Sequence, residues 1–175
     1  GLGDVYKRQI SVSRIGDGGS SENSPKETDS QSVAFGFDKK INESDLLGFA
    51  FQYGLSDTDV GSDGTGIDTE SLSLTIYRTK PFNNNNFIQG LIGFGIIESD
   101  SVRKSSGNTL TGSRNGNQLF GSINYGKTFG QAEFSATPIV RLDLGYTELD
   151  SYTETGTDAL SYSKQTFESA LGSIG

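Results

Sequence analysis

The stretch Leu47-Gly48-Phe49-Ala50-Phe51-Gln52-Tyr53-Gly54-Leu55 decides how this chain is read. Every second residue is large and apolar: Leu47, Phe49, Phe51, Tyr53 and Leu55. Between them sit Gly48, Ala50, Gln52 and Gly54. A period of two sends successive side chains to opposite faces of a β-strand. In a soluble sandwich the face turned from the core meets water and carries long charged residues and Thr. Here that face is small, and repeated Gly weakens a strand unless the wall curves or another group approaches closely. An apolar exterior over a small, polar interior is the inverted pattern of a membrane-spanning barrel.

The same alternation recurs on both sides of this stretch. Val33, Phe35, Phe37 and Ile41 share a face, interrupted by Lys39, against Ala34, Gly36 and Asp38. Leu72, Leu74 and Ile76 oppose Ser71, Ser73 and Thr75. Ile88, Ile92, Phe94 and Ile96 oppose Gln89, Leu91, Gly93 and Gly95. Leu119, Gly121, Ile123 and Tyr125 oppose Gln118, Ser122, Asn124 and Gly126, with Phe120 breaking the pattern. A run from Phe134 to Tyr146 sets Val140, Leu142 and Leu144 against Arg141, Asp143 and Gly145, with Ile139 as the exception. Weaker strands are predicted over Ile10 to Ile15 and near Gln165 to Gly175. The reading is all-β with eight strands and no amphipathic helix.

Connection lengths supply an independent argument. Short links (Asn42 to Asp45, Pro81 to Asn86, Gly130 to Gln131) alternate with long ones (Gly16 to Ser30, Ser56 to Asp68, Asp100 to Gly116, Glu148 to Ser163). Short turns at one end and long loops at the other are the habit of outer-membrane barrels. Aromatic girdles are expected at Phe37, Tyr77, Phe82, Phe87, Phe129 and Phe134 near the short turns. Tyr53, Tyr146 and Tyr152 are expected to form the girdle near the long loops. The four-Asn tract Asn83 to Asn86 reads as a turn.

Composition closes off other classes. Across 175 residues there are 24 Gly but no Cys, His, Met or Trp. Zero Cys excludes disulfides and thiolate metal sites, and zero His excludes Ser-His-Asp triads and imidazole ligands. With 22 acids against 14 bases, the net charge of -8 argues against nucleic acid. The longest nearly apolar run, Phe87 to Ile97, is too short for a spanning helix. Eleven Phe and seven Tyr in regular spacing do not suit a disordered chain. No catalytic residue, cofactor or metal is expected; the chain does not read as an enzyme. Asp57-x-Asp59-x-x-x-Asp63-Gly64 lacks the spacing and the bidentate Glu of a calcium loop and reads as a solvated loop.

The first nine residues stand apart. Asp4-Val5-Tyr6-Lys7-Arg8-Gln9 decodes as GAT GTG TAT AAG AGA CAG, which resembles the transposon end used to tag sequencing libraries. Residues 1–9 are therefore read as translated adapter. Residues 10–175 are read as a partial barrel, truncated at its C-terminal end.

Several segments together resemble one family. Gly36-Phe37-Asp38-Lys39-Lys40-Ile41 followed by Leu46-Leu47-Gly48-Phe49-Ala50-Phe51-Gln52-Tyr53-Gly54 resembles the start of the autotransporter β-domain of type V secretion. Gln89 to Gly95 and Thr137 to Leu144 are similar to its middle strands. Tyr152-Thr153-Glu154-Thr155-Gly156, with Gln165 to Ser169 and Leu171-Gly172 after it, is similar to a later segment. The resemblance implies an antiparallel up-and-down transmembrane β-barrel in the bacterial outer membrane, with about a dozen strands when complete, so that this chain is an incomplete barrel. It implies a translocator that anchors and helps export a secreted passenger domain. The partners it implies are that passenger, outer-membrane lipid and lipopolysaccharide, and the barrel-assembly machinery. The alternative is a small outer-membrane barrel of eight strands with ligand-binding or adhesive loops. In either case Asp38, Gln52, Gln89, Asn124, Arg141 and Asp143 are the candidate lumen-lining residues. Arg141 and Asp143, two apart on one face, can pair.

Overall fold

A computed structural model describes residues 5–17, 24–82, 85–131 and 134–175. Among them every regular element is a strand. These are β1 (Val5–Asp17), β2 (Lys26–Lys40), β3 (Leu46–Val60), β4 (Thr65–Pro81), β5 (Asn86–Ser105), β6 (Asn108–Lys127), β7 (Phe129–Gln131), β8 (Phe134–Ala136), β9 (Ile139–Leu149), β10 (Tyr152–Thr153), β11 (Ser161–Tyr162) and β12 (Gln165–Ile174). Eight of them form one antiparallel meander, β1-β2-β3-β4-β5-β6-β9-β12, and β7–β8 and β10–β11 are two small hairpins set into its connections. The eight expected strands are the eight of the sheet.

The sheet encloses no core. Leu110 is the one fully buried large apolar side chain among the described residues, while Leu74 and Phe94 are 53% and 52% exposed. The accessible surface is 12268 Å², against roughly 8,300 Å² for a compact soluble chain of this size. A two-layer soluble fold buries one face of its sheet; this one leaves its apolar face open. The register aligns that face into continuous bands. Phe35, Phe51, Leu74, Phe94, Leu119 and Tyr146 form one row across six strands, and Phe37, Phe49, Ile76, Ile92, Gly121 and Leu144 form the next. The sheet's edges, β1 and β12, are not paired with each other. A closed eight-stranded barrel is therefore not what the chain forms.

Local chemistry explains the turns. Asn42 Oδ1 accepts the backbone N–H of Asp45 at 2.9 Å and closes the β2–β3 reversal as an Asx turn. Ser106 and Gly107 both have positive φ, 51° and 82°, the conformation of the tightest hairpin connection. Of the Asn tract, Asn86 opens β5 and Asn85 precedes it; residues 83–84 lie outside the described residues, as do residues 18–23 of the first long link.

Three expectations are corrected. First, the links Ser56 to Asp68 and Asp100 to Gly116 are mainly strand. The true reversals are residues 61–64 and 106–107. The apolar alternation ends there, but the backbone ladder continues, tied by hydroxyl pairs such as Thr28–Thr58, Ser30–Ser56 and Thr69–Ser99, each at 3.0 Å. Second, the run from Phe134 to Tyr146 is two elements, broken at Thr137 and Pro138, because proline has no N–H to give the ladder. Third, Tyr77, Phe87 and Tyr152 do not join the girdles. Tyr77 and Phe87 lie on the glycine-rich face, and Tyr152 folds across β6. Phe37, Phe82 and Phe129 are exposed, as are Tyr53 and Tyr146 at the other margin; the side chain of Phe134 lies outside the described residues. β1 also takes in Val5–Gln9, within the segment read as adapter. They pair with residues 34–38 through backbone bonds that any extended segment can supply.

Candidate functional site

The face opposite the apolar bands is built from small residues because large ones on neighbouring strands lie across them. A Cβ placed on Gly48 would stand 2.2 Å from the Tyr77 ring, one on Gly93 2.2 Å from the Phe120 ring, and one on Gly126 2.3 Å from the Phe87 ring. The register puts each ring directly opposite its glycine. This accounts for Phe120, which breaks the alternation of its strand: it covers the gap that Gly93 leaves.

All six candidate residues fall on this face. Asp38, Gly48, Tyr77, Leu91, Ser122 and Asp143 form one cross-strand row. Gln89, Asn124 and Arg141 form the adjacent row toward the short turns. Gln52 stands apart, two rows beyond Asp38 toward the long strand tips, beside Ser73. The structure thus brings five of the six together at one end of the face. Asp38 is 5% exposed, and the Tyr77 hydroxyl donates to its Oδ2 at 3.0 Å. Arg141 Nε and Nη2 donate to Asp143 at 2.7–2.9 Å, the pairing expected from their spacing. Asn124 Oδ1 is buried with no hydrogen-bond partner in the structure. The arrangement is polar and holds one charge pair, Arg141–Asp143, while the Asp38 carboxylate is held by a neutral phenol. Such a surface can hydrate or hold a polypeptide.

A second constellation lies at the tips of β5 and β6, where sequence reading saw only a loop. The β10–β11 hairpin folds onto the glycine-rich face there. Arg103 Nε and Nη2 donate to the two Glu154 oxygens at 2.9 and 2.6 Å, and the Leu160 N–H adds a third bond to Oε2 at 3.0 Å. The Glu154 side chain is 3% exposed. Tyr152 and Tyr162 stack at 4.7 Å, with the Tyr152 ring over Gly112 and the Arg114 guanidinium 5.7 Å from its centre. Thr111 and Thr155 exchange backbone bonds, and Leu110 is sealed underneath. Arg103 does not pair with the acids nearest it in the chain, Glu98 and Asp100. Its partner lies 51 residues away. The signal in the sequence was the spacing of Tyr152-x-Glu154-x-Gly156. It puts an aromatic and an acid on one side, followed by a glycine whose φ of 131° suits no other residue.

The Arg103 hydrogen bonds, against the opposing pull of burial, hold the Glu154 carboxyl at about 2, below its usual 4.5. A lowered folded-state value stabilises the latch above the unfolded value, and that support is lost as pH falls from about 4.5 through about 2. Hydrogen exchange of residues 152–162 is therefore expected to be slow and flat from neutral pH to mild acid, once corrected for intrinsic rates, and to quicken below. Glu154→Gln should raise it about tenfold at neutral pH while leaving β2–β5 unchanged. Unaltered exchange in the variant would show that the ion pair does not hold the hairpin.

The acids of Asp57-x-Asp59-x-x-x-Asp63 do not converge. Asp57 lies in a row with Asp29, Asp68 and Asp100, Asp59 is opposite Glu27, and Asp63 accepts the Thr65 N–H in the reversal.

The autotransporter β-domain family matches residues 11–175. Among solved structures, the translocator domain of the autotransporter NalP from Neisseria meningitidis superposes with a TM-score of 0.77 at 17% identity. That match covers 97% of this chain and 59% of the NalP domain. The chain thus spans about three-fifths of that domain's length. The ferric-catecholate import receptor Fiu of E. coli K12, in its closed form, matches with a TM-score of 0.47 at 9% identity, over 87% of this chain and 30% of the receptor, too weakly to support a common fold. No curated protein sequence matches. The open eight-stranded meander, its apolar and glycine-rich faces, and the family match over residues 11–175 together establish that the chain belongs to the autotransporter β-domain family.

Proposed function

We propose that this chain forms part of the wall of an outer-membrane translocator that anchors a passenger and takes part in its export. The observation that carries the reading is the inverted sheet: apolar rows left open across six strands, with a glycine-lined polar face behind them and no core between layers. Between its two open edges, β1 and β12, such a wall suits lipid because its backbone groups are satisfied strand to strand. The glycine-rich face is the lumen. Asp38, Gln52, Gln89, Asn124, Arg141 and Asp143 line it, and the Arg141–Asp143 pair, the Asp38 carboxylate and the amides keep it wettable. The reading assigns no catalytic residue. Its partners are the passenger, lipid and lipopolysaccharide around the wall, and the machinery that assembles barrels.

The test is a reporter passenger and an export signal placed ahead of the chain within its complete β-domain, in cells with an outer membrane. The expected result is a reporter that external protease removes from intact cells, together with a barrel that migrates faster before heating than after. A heat-modifiable barrel whose reporter stays inside would overturn the translocator reading and leave the barrel standing.

A further inference from the structure

The apolar bands are bordered by opposite charges. At the long-tip margin Asp29, Asp57, Asp68 and Asp100 lie directly opposite one another in a single row, with the pairs Glu70–Glu98 and Glu27–Asp59 in the rows on either side; Arg14 of β1 continues the aspartate row and pairs with Asp29 and Glu27, so the margin keeps an excess of carboxylates. At the short-turn margin the same face carries Lys39 in a row with Leu47 and Arg78, Lys80 in a row with Ile88, Tyr125 and Val140, and Lys127 opposite Asn86. Arg78 is occupied there: its Nε and Nη2 donate to Asp45 at 3.0 and 2.8 Å. Lys39, Lys80 and Lys127 are exposed, and among the described residues none is in ion-pair contact with a carboxylate. Two of them lie over aromatic rings, Lys80 Nζ 5.5 Å from the centre of Phe82 and Lys127 Nζ 4.8 Å from the centre of Phe129. A lysine whose stem lies along an apolar surface and whose ammonium reaches the edge of that surface is placed at headgroup depth.

From this we infer that Lys39, Lys80 and Lys127 form a girdle that binds the phosphates of anionic glycerophospholipids in the leaflet on the short-turn side. The inference rests on the membrane-wall reading above. Charge complementarity selects the occupant: near a bilayer surface each lysine favours an anionic headgroup, whereas the carboxylate rows at the other margin repel one. The barrel is thereby oriented by its lipid contacts as well as by its loops.

The chain contains no Trp, so once any Trp in the rest of the β-domain is replaced by Phe, single reporters can be placed at each margin. Phe82→Trp reports on the girdle and Tyr53→Trp on the opposite margin. Both are folded, in the complete β-domain, into phosphatidylcholine vesicles in which about one-fifth of the lipid is brominated phosphatidylglycerol or, in the parallel sample, brominated phosphatidylcholine. At Phe82→Trp the anionic lipid should quench as though enriched about fivefold, the weight of one near-surface lysine. At Tyr53→Trp it should quench no more than the zwitterionic lipid. The preference should vanish in Lys39→Gln/Lys80→Gln/Lys127→Gln and shrink in high salt. Equal quenching by the two lipids at Phe82→Trp, or a preference that survives the triple substitution, would overturn the girdle while leaving the barrel intact. Quenching by neither lipid at either reporter would overturn the membrane wall and the girdle with it. The comparison between reporters needs no lysine variant and stands if the triple substitution impairs folding.

Discussion

Phe94→Arg is expected to cost about 2–4 kcal/mol of folding free energy in a bilayer, the penalty for a cation near mid-depth on a lipid-facing strand. Phe94 is chosen because its row, Phe35, Phe51, Leu74, Phe94, Leu119 and Tyr146, is unbroken across six strands, with the Phe37 to Leu144 row on one side and Val33, Tyr53, Leu72 and Ile96 on the other. Ile92 and Ile96 flank it on its own strand and face. Gln118→Arg is the control. It lies on the adjacent strand one residue from Leu119 but on the glycine-rich face, opposite Gly95, where an added cation meets polar surroundings. Reversible urea unfolding from lipid vesicles measures both. If the apolar rows met water instead of lipid, Phe94→Arg would leave stability unchanged and improve solubility. That outcome would remove the membrane reading altogether.

The second large effect is expected at Gly48. An alanine there would bring a methyl group to 2.2 Å from the Tyr77 ring, so the ring must move. It is not free to swing, since its hydroxyl is held at 3.0 Å by Asp38, a carboxylate that is nearly buried. Gly48→Ala therefore loses both the ring's seat and the hydrogen bond. About 1–3 kcal/mol is expected, the usual range for overpacking. Gly90→Ala is the comparison, because its new methyl would find nothing closer than 3.8 Å; it should be neutral or slightly stabilising. Tyr77→Phe divides the effect, removing the hydrogen bond while leaving the ring in place. Equal urea midpoints for Gly48→Ala and Gly90→Ala would show that the ring repacks at no cost.

How much of this was legible in the chain differs by feature. The two faces were legible because a strand's period of two is a local property: Phe49 and Gly48 are assigned to opposite sides whatever their neighbours do. The membrane reading was legible for the same reason, since it rests on which face is greasy and not on which strands touch. Strand ends were misread wherever the apolar contrast stopped. From Ser56 to Val60 and from Asp100 to Ser105 both faces are polar but for Val60 and Val102, so alternation carries no signal although the ladder continues. Phe120 was an exception within its own strand and became regular only when Gly93 was placed opposite it.

The amino-acid order alone dictates an all-β chain of eight strands with an apolar face and a small polar one, because period and side-chain size are local properties of each residue. It also placed all six lining candidates on one face, and Arg141 beside Asp143, because two residues apart on a strand are neighbours in any register. Only the tertiary structure decided which residues lie opposite one another. That choice seats Tyr77 on Gly48, aligns four aspartates in one row, and brings Arg103 to Glu154. The physical reason is that pairing register and hairpin docking join residues far apart in the chain, and a local pattern constrains the parity of such a pairing but not its partner.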